Sequence, residues 1–356
     1  MMLWRFVQSL CLGLGILQLL VFKLSDRKEL LSAPLVLGCW ITGLGSAVYA
    51  LGIAGIHYWV PAGNLGPLGS LGTLLGFAIL CYAAWKARAP YPCRLILSLI
   101  FVGMMLQQFL ALPASFAGAL PPNLVGASEA LRWRMIRLAV MASMALPVIA
   151  YLFEGLAEQV RDFQGVVKWG RIAQLLGAAG MPLLLCLAAF VNFRIKYLLT
   201  VPVGATVLGT WCGLFLAWKE ERTPEKWFWL LIALSMGVGQ LMGTYAFDGP
   251  LPAPNFIGSY SDFARRLLRM GHMYAIILGI AGIIASREAR EARNVAHRHA
   301  VAPFLLLLAS LITLGGIFLA ATGFVPAAVL AIGPALVAIA LGLVLFTPAP
   351  KPSPAT

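Results

Sequence analysis

Eleven stretches of this sequence are built almost wholly from apolar side chains. Their cores are 3–22, 35–60, 68–85, 95–113, 135–154, 172–193, 197–218, 227–246, 268–286, 303–322 and 325–347. Most approach the length of about 20 residues at which a helix crosses about 30 Å of hydrocarbon. Inside such a solvent the backbone must satisfy its own N–H and C=O groups, and long unalternating apolar runs do so as helices. Composition agrees: 61% of residues are hydrophobic and 11% charged, against about 25% charged in soluble domains. The chain therefore reads as an all-α polytopic integral membrane protein of about eleven transmembrane helices. The first run lacks a small-residue cleavage site after it, so it is expected to stay as a helix of the mature protein.

The runs repeat. Arg5, Arg137 and Arg269 are evenly spaced in the numbering (137 − 5 = 132 and 269 − 137 = 132), and each opens an apolar run. Pro122-Asn123-Leu124-Val125-Gly126 precedes Pro254-Asn255-Phe256-Ile257-Gly258 by the same interval, as Gln108 precedes Gln240. One position out of that register, Thr73, Leu75, Gly76 and Ala84-Trp85-Lys86 match Thr206, Leu208, Gly209 and Ala217-Trp218-Lys219. These matches predict parallel repeats: a four-helix unit at 1–133, a second at 134–265, a partial three-helix unit at 266–347, and a disordered Pro-rich tail at 348–356. An even number of helices per unit keeps successive copies in one orientation.

Charge gives orientation. Of 26 Lys and Arg residues, seventeen fall on the side that follows the odd-numbered runs. The positive-inside rule then sets the N-terminus outside and the C-terminus in the cytoplasm, as in a bacterial-type inner membrane. The net charge of +13 is explained by such flanking residues and anionic headgroups, without nucleic acid as a partner. Stretches 114–134 and 247–267 are expected outside, the second capped by Ser261-Asp262 where it enters the run at 268. Gly72-x-x-x-Gly76, Gly209-x-x-x-Gly213 and Gly239-x-x-x-Gly243 read as packing seams.

Little in the chain offers chemistry. Five cysteines (Cys11, Cys39, Cys81, Cys186, Cys212) lie in apolar runs and Cys93 in an expected turn, with no Cys-x-x-Cys pair. A disulfide framework, a zinc site and c-type haem attachment are unsupported. Of thirteen carboxylates only Glu154 approaches a run core, so the intramembrane acid relay of a proton-coupled transporter is not expected. Walker, dinucleotide and His-Glu-x-x-His motifs are missing.

Histidine remains. His297 and His299 sit in a basic segment and read as solvated, whereas His57 and His272 lie within or beside apolar runs. Opposite helix directions put both about one turn below the outer surface. Two imidazoles at one depth on separate helices have the chemistry to ligate the iron of haem b axially. Met270, Met273, Arg269, Gln108 and Gln240 are candidate supporting residues, and Met104 and Met105 offer a His/Met alternative. The competing reading makes each histidine an interfacial residue bonded to a carbonyl or lipid phosphate. Gly271 would let a flat cofactor or another helix approach.

Tandem four-helix units with histidines near the outer face resemble, in layout only, haem A synthase and its relatives. The Glu-x-x-His-Arg motif of that family is absent, and no family is assigned on this basis. The sequence points to a membrane subunit of an electron-transfer assembly, holding haem b or a quinone near the outer face at His57 and His272. It is expected to work with other membrane subunits rather than as a stand-alone enzyme. The alternatives are a permease for a small neutral or anionic solute and a structural or assembly subunit without a cofactor.

Overall fold

The computed structural model describes residues 65–88, 91–116, 129–245, 263–291 and 297–321, with scattered positions from 34 to 49 and at 252 and 336. All regular structure among the described residues is helical. The α-helices are α1 (Leu65–Lys86), α2 (Tyr91–Phe116), α3 (Glu129–Ala157), α4 (Gln164–Phe190), α5 (Thr200–Lys219), α6 (Glu225–Tyr245), α7 (Phe263–Glu291) and α8 (His297–Ala321). A 3-10 helix, Phe193–Leu199, leads into α5, and Asn192 caps it by accepting from the Arg194 N–H at 2.9 Å. Residues 40–45 are also helical. The expected runs at 3–22 and 325–347, most of 35–60, and with them Arg5 and His57 lie outside the described residues.

Seven of the helical stretches are long and apolar enough to cross a membrane: α1, α3, α4, α5 with its 3-10 lead, α6, α7 and α8. The protein is integral to a membrane, and its described residues are all-helical. Large apolar side chains such as Leu68, Leu75, Phe304, Leu308, Leu311 and Phe318 are exposed, as a hydrocarbon solvent requires. Several hydroxyls bond back within their own helix, among them Ser286 to the Gly282 carbonyl, Ser310 to Leu306 and Thr313 to Ala309. Polar side chains thereby sit in apolar surroundings with their donors satisfied.

Helix ends differ from the run ends in an instructive way. α3 and α7 begin at Glu129 and Phe263, well before their apolar runs, and take Arg132, Arg134, Arg265 and Arg266 into helix. Arginine is a good helix former, and its long stem lets the charged head reach the interface while the backbone stays regular. Cys93, expected in a turn, is instead in the first turn of α2.

The chain forms two compact units, Met1–Gly209 and Thr210–Thr356, divided within α5. In the first, α3 packs against α2 and α4, and α1 against α2; in the second, α7 packs against α6 and α8. α3 and α7 are the central helices, 65% and 67% buried against 33–39% for the other spans. Their cores include Ile149, Leu152 and Phe153 in the first unit and Phe228, Trp229, Ile232 and Ile283 in the second.

Glycine sets how closely helices approach. In the first unit a methyl group at Gly76 would overlap Thr42, and one at Gly45 or Gly69 would land on the backbone of the facing segment, at Thr73 and Tyr49. α4 and the start of α5 meet in the same manner, Gly177 against Thr206 and Gly209 against Gln174. In the second unit Gly213 receives the Trp229 ring, Gly279 receives Ile232 and Gly282 receives Phe228. Of the six glycines read as seams, Gly243 alone has none of the described residues within 4 Å of an added methyl. With lipid as apolar as any side chain, this close fit supplies association that hydrophobic burial supplies in water.

Candidate functional site

His272 lies on α7 and faces α6. Its Nδ1 is 2.8 Å from the backbone carbonyl of Ser235 and 3.0 Å from the Ser235 hydroxyl, and that hydroxyl donates to the His272 carbonyl at 2.8 Å. A carbonyl only accepts, so Nδ1 carries the proton and donates it to Ser235. The neutral ring then keeps its lone pair on Nε2. The two helices are sewn together by side-chain-to-backbone bonds running in both directions, each worth about 1 kcal/mol in a membrane.

Gly239 completes the notch. It stands four positions after Ser235, one turn on along the same face of α6, and a methyl there would lie 2.5 Å from His272 Cε1 and 2.9 Å from Nε2. Any side chain at 239 would push the ring away. Ser235 is the middle residue of α6, so the imidazole sits about 15 Å from either end of that helix.

The other predicted residues divide. Met270, Met273 and Arg269 are half-buried, but Met270 and Met273 lie roughly 200° and 100° around α7 from His272, so neither shares its face. Gln240 is exposed. Gln108 is helical in α2, with its side chain outside the described residues, and His57 lies outside them altogether. Met104 is buried and Met105 exposed in α2. The gap left by Gly271 is met by Ile317 of α8, whose Cγ2 would be 3.1 Å from an added methyl. That glycine admits a helix, not a flat cofactor. Among the described residues no group of three or more His, Cys, Asp or Glu is placed to hold a metal.

The structure also holds a charged cluster that the sequence reading did not assemble. Glu225, the first residue of α6, is completely buried. Arg287 donates to its Oε1 from Nε at 3.0 Å and Nη2 at 2.8 Å, and Arg290 Nη2 donates to Oε2 at 3.1 Å. Trp229 Nε1 approaches Oε1 at 3.4 Å, and Arg222 Nη1 lies 3.9 Å from Oε2. Burial draws Arg222 down from the ordinary arginine range, and the Glu225 carboxylate opposes that. The signal was a carboxylate at the entry of α6 and two arginines one turn apart near the end of α7, distant from it in sequence. In the first unit Arg171 Nε grips both oxygens of Glu154, at 2.7 and 2.9 Å, so the one carboxylate noted in the sequence also has a basic partner.

No protein-family model, no curated protein and no solved structure matches this chain.

Proposed function

We propose that the protein is a membrane subunit of an electron-transfer assembly in which His272 offers Nε2 to haem b or a quinone. One observation carries this reading: the Nδ1–H bond to the Ser235 carbonyl, in the middle of a membrane helix. That bond fixes tautomer and ring orientation, as the outer-shell partner of a ligating histidine does. An imidazole held within a membrane span is by default a functional group. If haem is bound, His272 would hold it together with His57 as the candidate second ligand, and it would supply one-electron transfer. For a quinone the same tautomer makes Nε2 an acceptor for a quinol hydroxyl. The absorption spectrum of the purified protein tests this. A Soret band with split α and β bands is expected, lost in His272→Ala and kept in His297→Ala and His299→Ala. A colourless protein without extractable quinone overturns it.

The reciprocity of the Ser235–His272 bonds favours a second reading, a structural subunit whose clasp only holds α6 to α7. In that case Ser235→Ala and His272→Ala lower thermal stability alike, by about 1–2 kcal/mol, with no spectroscopic consequence.

The parallel-repeat architecture has its own support. α2 starts at Tyr91 and α6 at Glu225, and α3 at Glu129 and α7 at Phe263, the same offset in the numbering (225 − 91 = 263 − 129 = 134). α4 and α8 start at Gln164 and His297, one position less (297 − 164 = 133). α3 and α7, equivalent in this register, are the most buried spans. Thr42 meets Gly76 as Gln174 meets Gly209, and Gly45 meets Thr73 as Gly177 meets Thr206. On one side of these contacts the numbering is offset by 132 (42 to 174, 45 to 177), and on the other by 133 (73 to 206, 76 to 209). The sequence carries the same slip of one position. For orientation, cysteines introduced at Ser115 and Ser259 are expected to react with an impermeant reagent in intact cells. Labelling only after permeabilisation would invert the topology.

A further inference from the structure

We propose that Arg222, Arg287 and Arg290 form a binding site for a phosphate group at the end of the α6–α7 pair. Among the described residues three guanidiniums surround one buried carboxylate, an excess of positive charge at the buried centre, and the exposed Glu220 adds a weaker attraction on Arg222. Glu225 spends its oxygens on Arg287 and Arg290. Arg222 is 8% exposed, yet among the described residues its buried Nη1 has no hydrogen-bond partner and stands 3.9 Å from the carboxylate. An unmade bond on a buried charged group is expensive. A phosphate, with several charged acceptor oxygens, matches the fork of a guanidinium and would satisfy it. Arg290, with about a third of its side chain exposed, leaves an approach open. The cluster lies at a helix entry and a helix exit, outside the most apolar parts of both spans, the level at which lipid headgroups or a soluble phosphate ester would arrive.

Binding is measured on the full chain, delipidated in neutral detergent. One arm adds phosphatidic acid or phosphatidylglycerol against phosphatidylcholine, and the other adds inorganic phosphate, with thermal stability and native mass spectrometry as readouts. Stabilisation by anionic lipid alone identifies a headgroup site, and stabilisation by inorganic phosphate identifies a soluble ligand. In either case Arg222→Gln is expected to weaken binding roughly tenfold, the loss of one charge-assisted bond. Arg171→Gln, on the other unit, is expected to leave it unchanged. Equal binding by wild type and Arg222→Gln overturns the proposal. So does a wild-type protein that retains and gains no phosphate from either source, a result that stands even if the variant fails to fold.

Discussion

Glu225→Ala is expected to be among the most damaging single substitutions in the chain, costing about 3–5 kcal/mol. The carboxylate is fully buried and receives bonds from two arginines, with a third at ion-pair distance. Removing it leaves like charges facing one another with no counter-charge and with unsatisfied donors. Thermal unfolding in detergent should drop by roughly 10 °C, with a smaller drop for Glu225→Gln, which keeps an acceptor in place. The double variant Glu225→Ala, Arg287→Met should recover part of the loss, because much of the cost is the unpaired charge and not the absent bond. A Tm for Glu225→Ala within about 2 °C of wild type would show that the cluster does not hold α6 to α7.

The second large effect concerns close helix contact. At Gly45 and Gly69 an added methyl meets the backbone of Thr73 and Tyr49, and a backbone cannot swing aside as a side chain does. Alanine at either position is expected to cost about 2 kcal/mol or more, and valine more again. Gly204, Gly237 and Gly243 give the contrast, since among the described residues nothing lies within 4 Å of a methyl there. Alanine at those positions should be neutral or stabilise by up to about 1 kcal/mol, through helix propensity alone. Tm values for the five alanine variants, measured together, decide the matter. If Gly69→Ala behaves like Gly204→Ala, the helices are not in contact there.

Helix identity and placement were legible in the sequence. Each of α1 to α8 contains most of one apolar run, because hydrocarbon makes a local demand: every residue must bond its backbone to a neighbour a turn away. Glycine seams were half-legible. Gly239 and Gly243 form one motif, yet Gly239 cradles His272 while a methyl at Gly243 would meet none of the described residues.

The polar side-chain pairings belong to the tertiary structure alone. Ser235 and His272 are 37 residues apart, and Glu225 and Arg287 62. Whether such residues meet depends on the rotation and depth of each helix, and one residue of register turns a side chain through about 100°. Apolar composition fixes that a helix crosses the membrane but leaves its rotation almost free, because lipid accepts any apolar face. Close packing at small residues and the bonding of buried polar groups then select the rotation, and so decide which residues stand together.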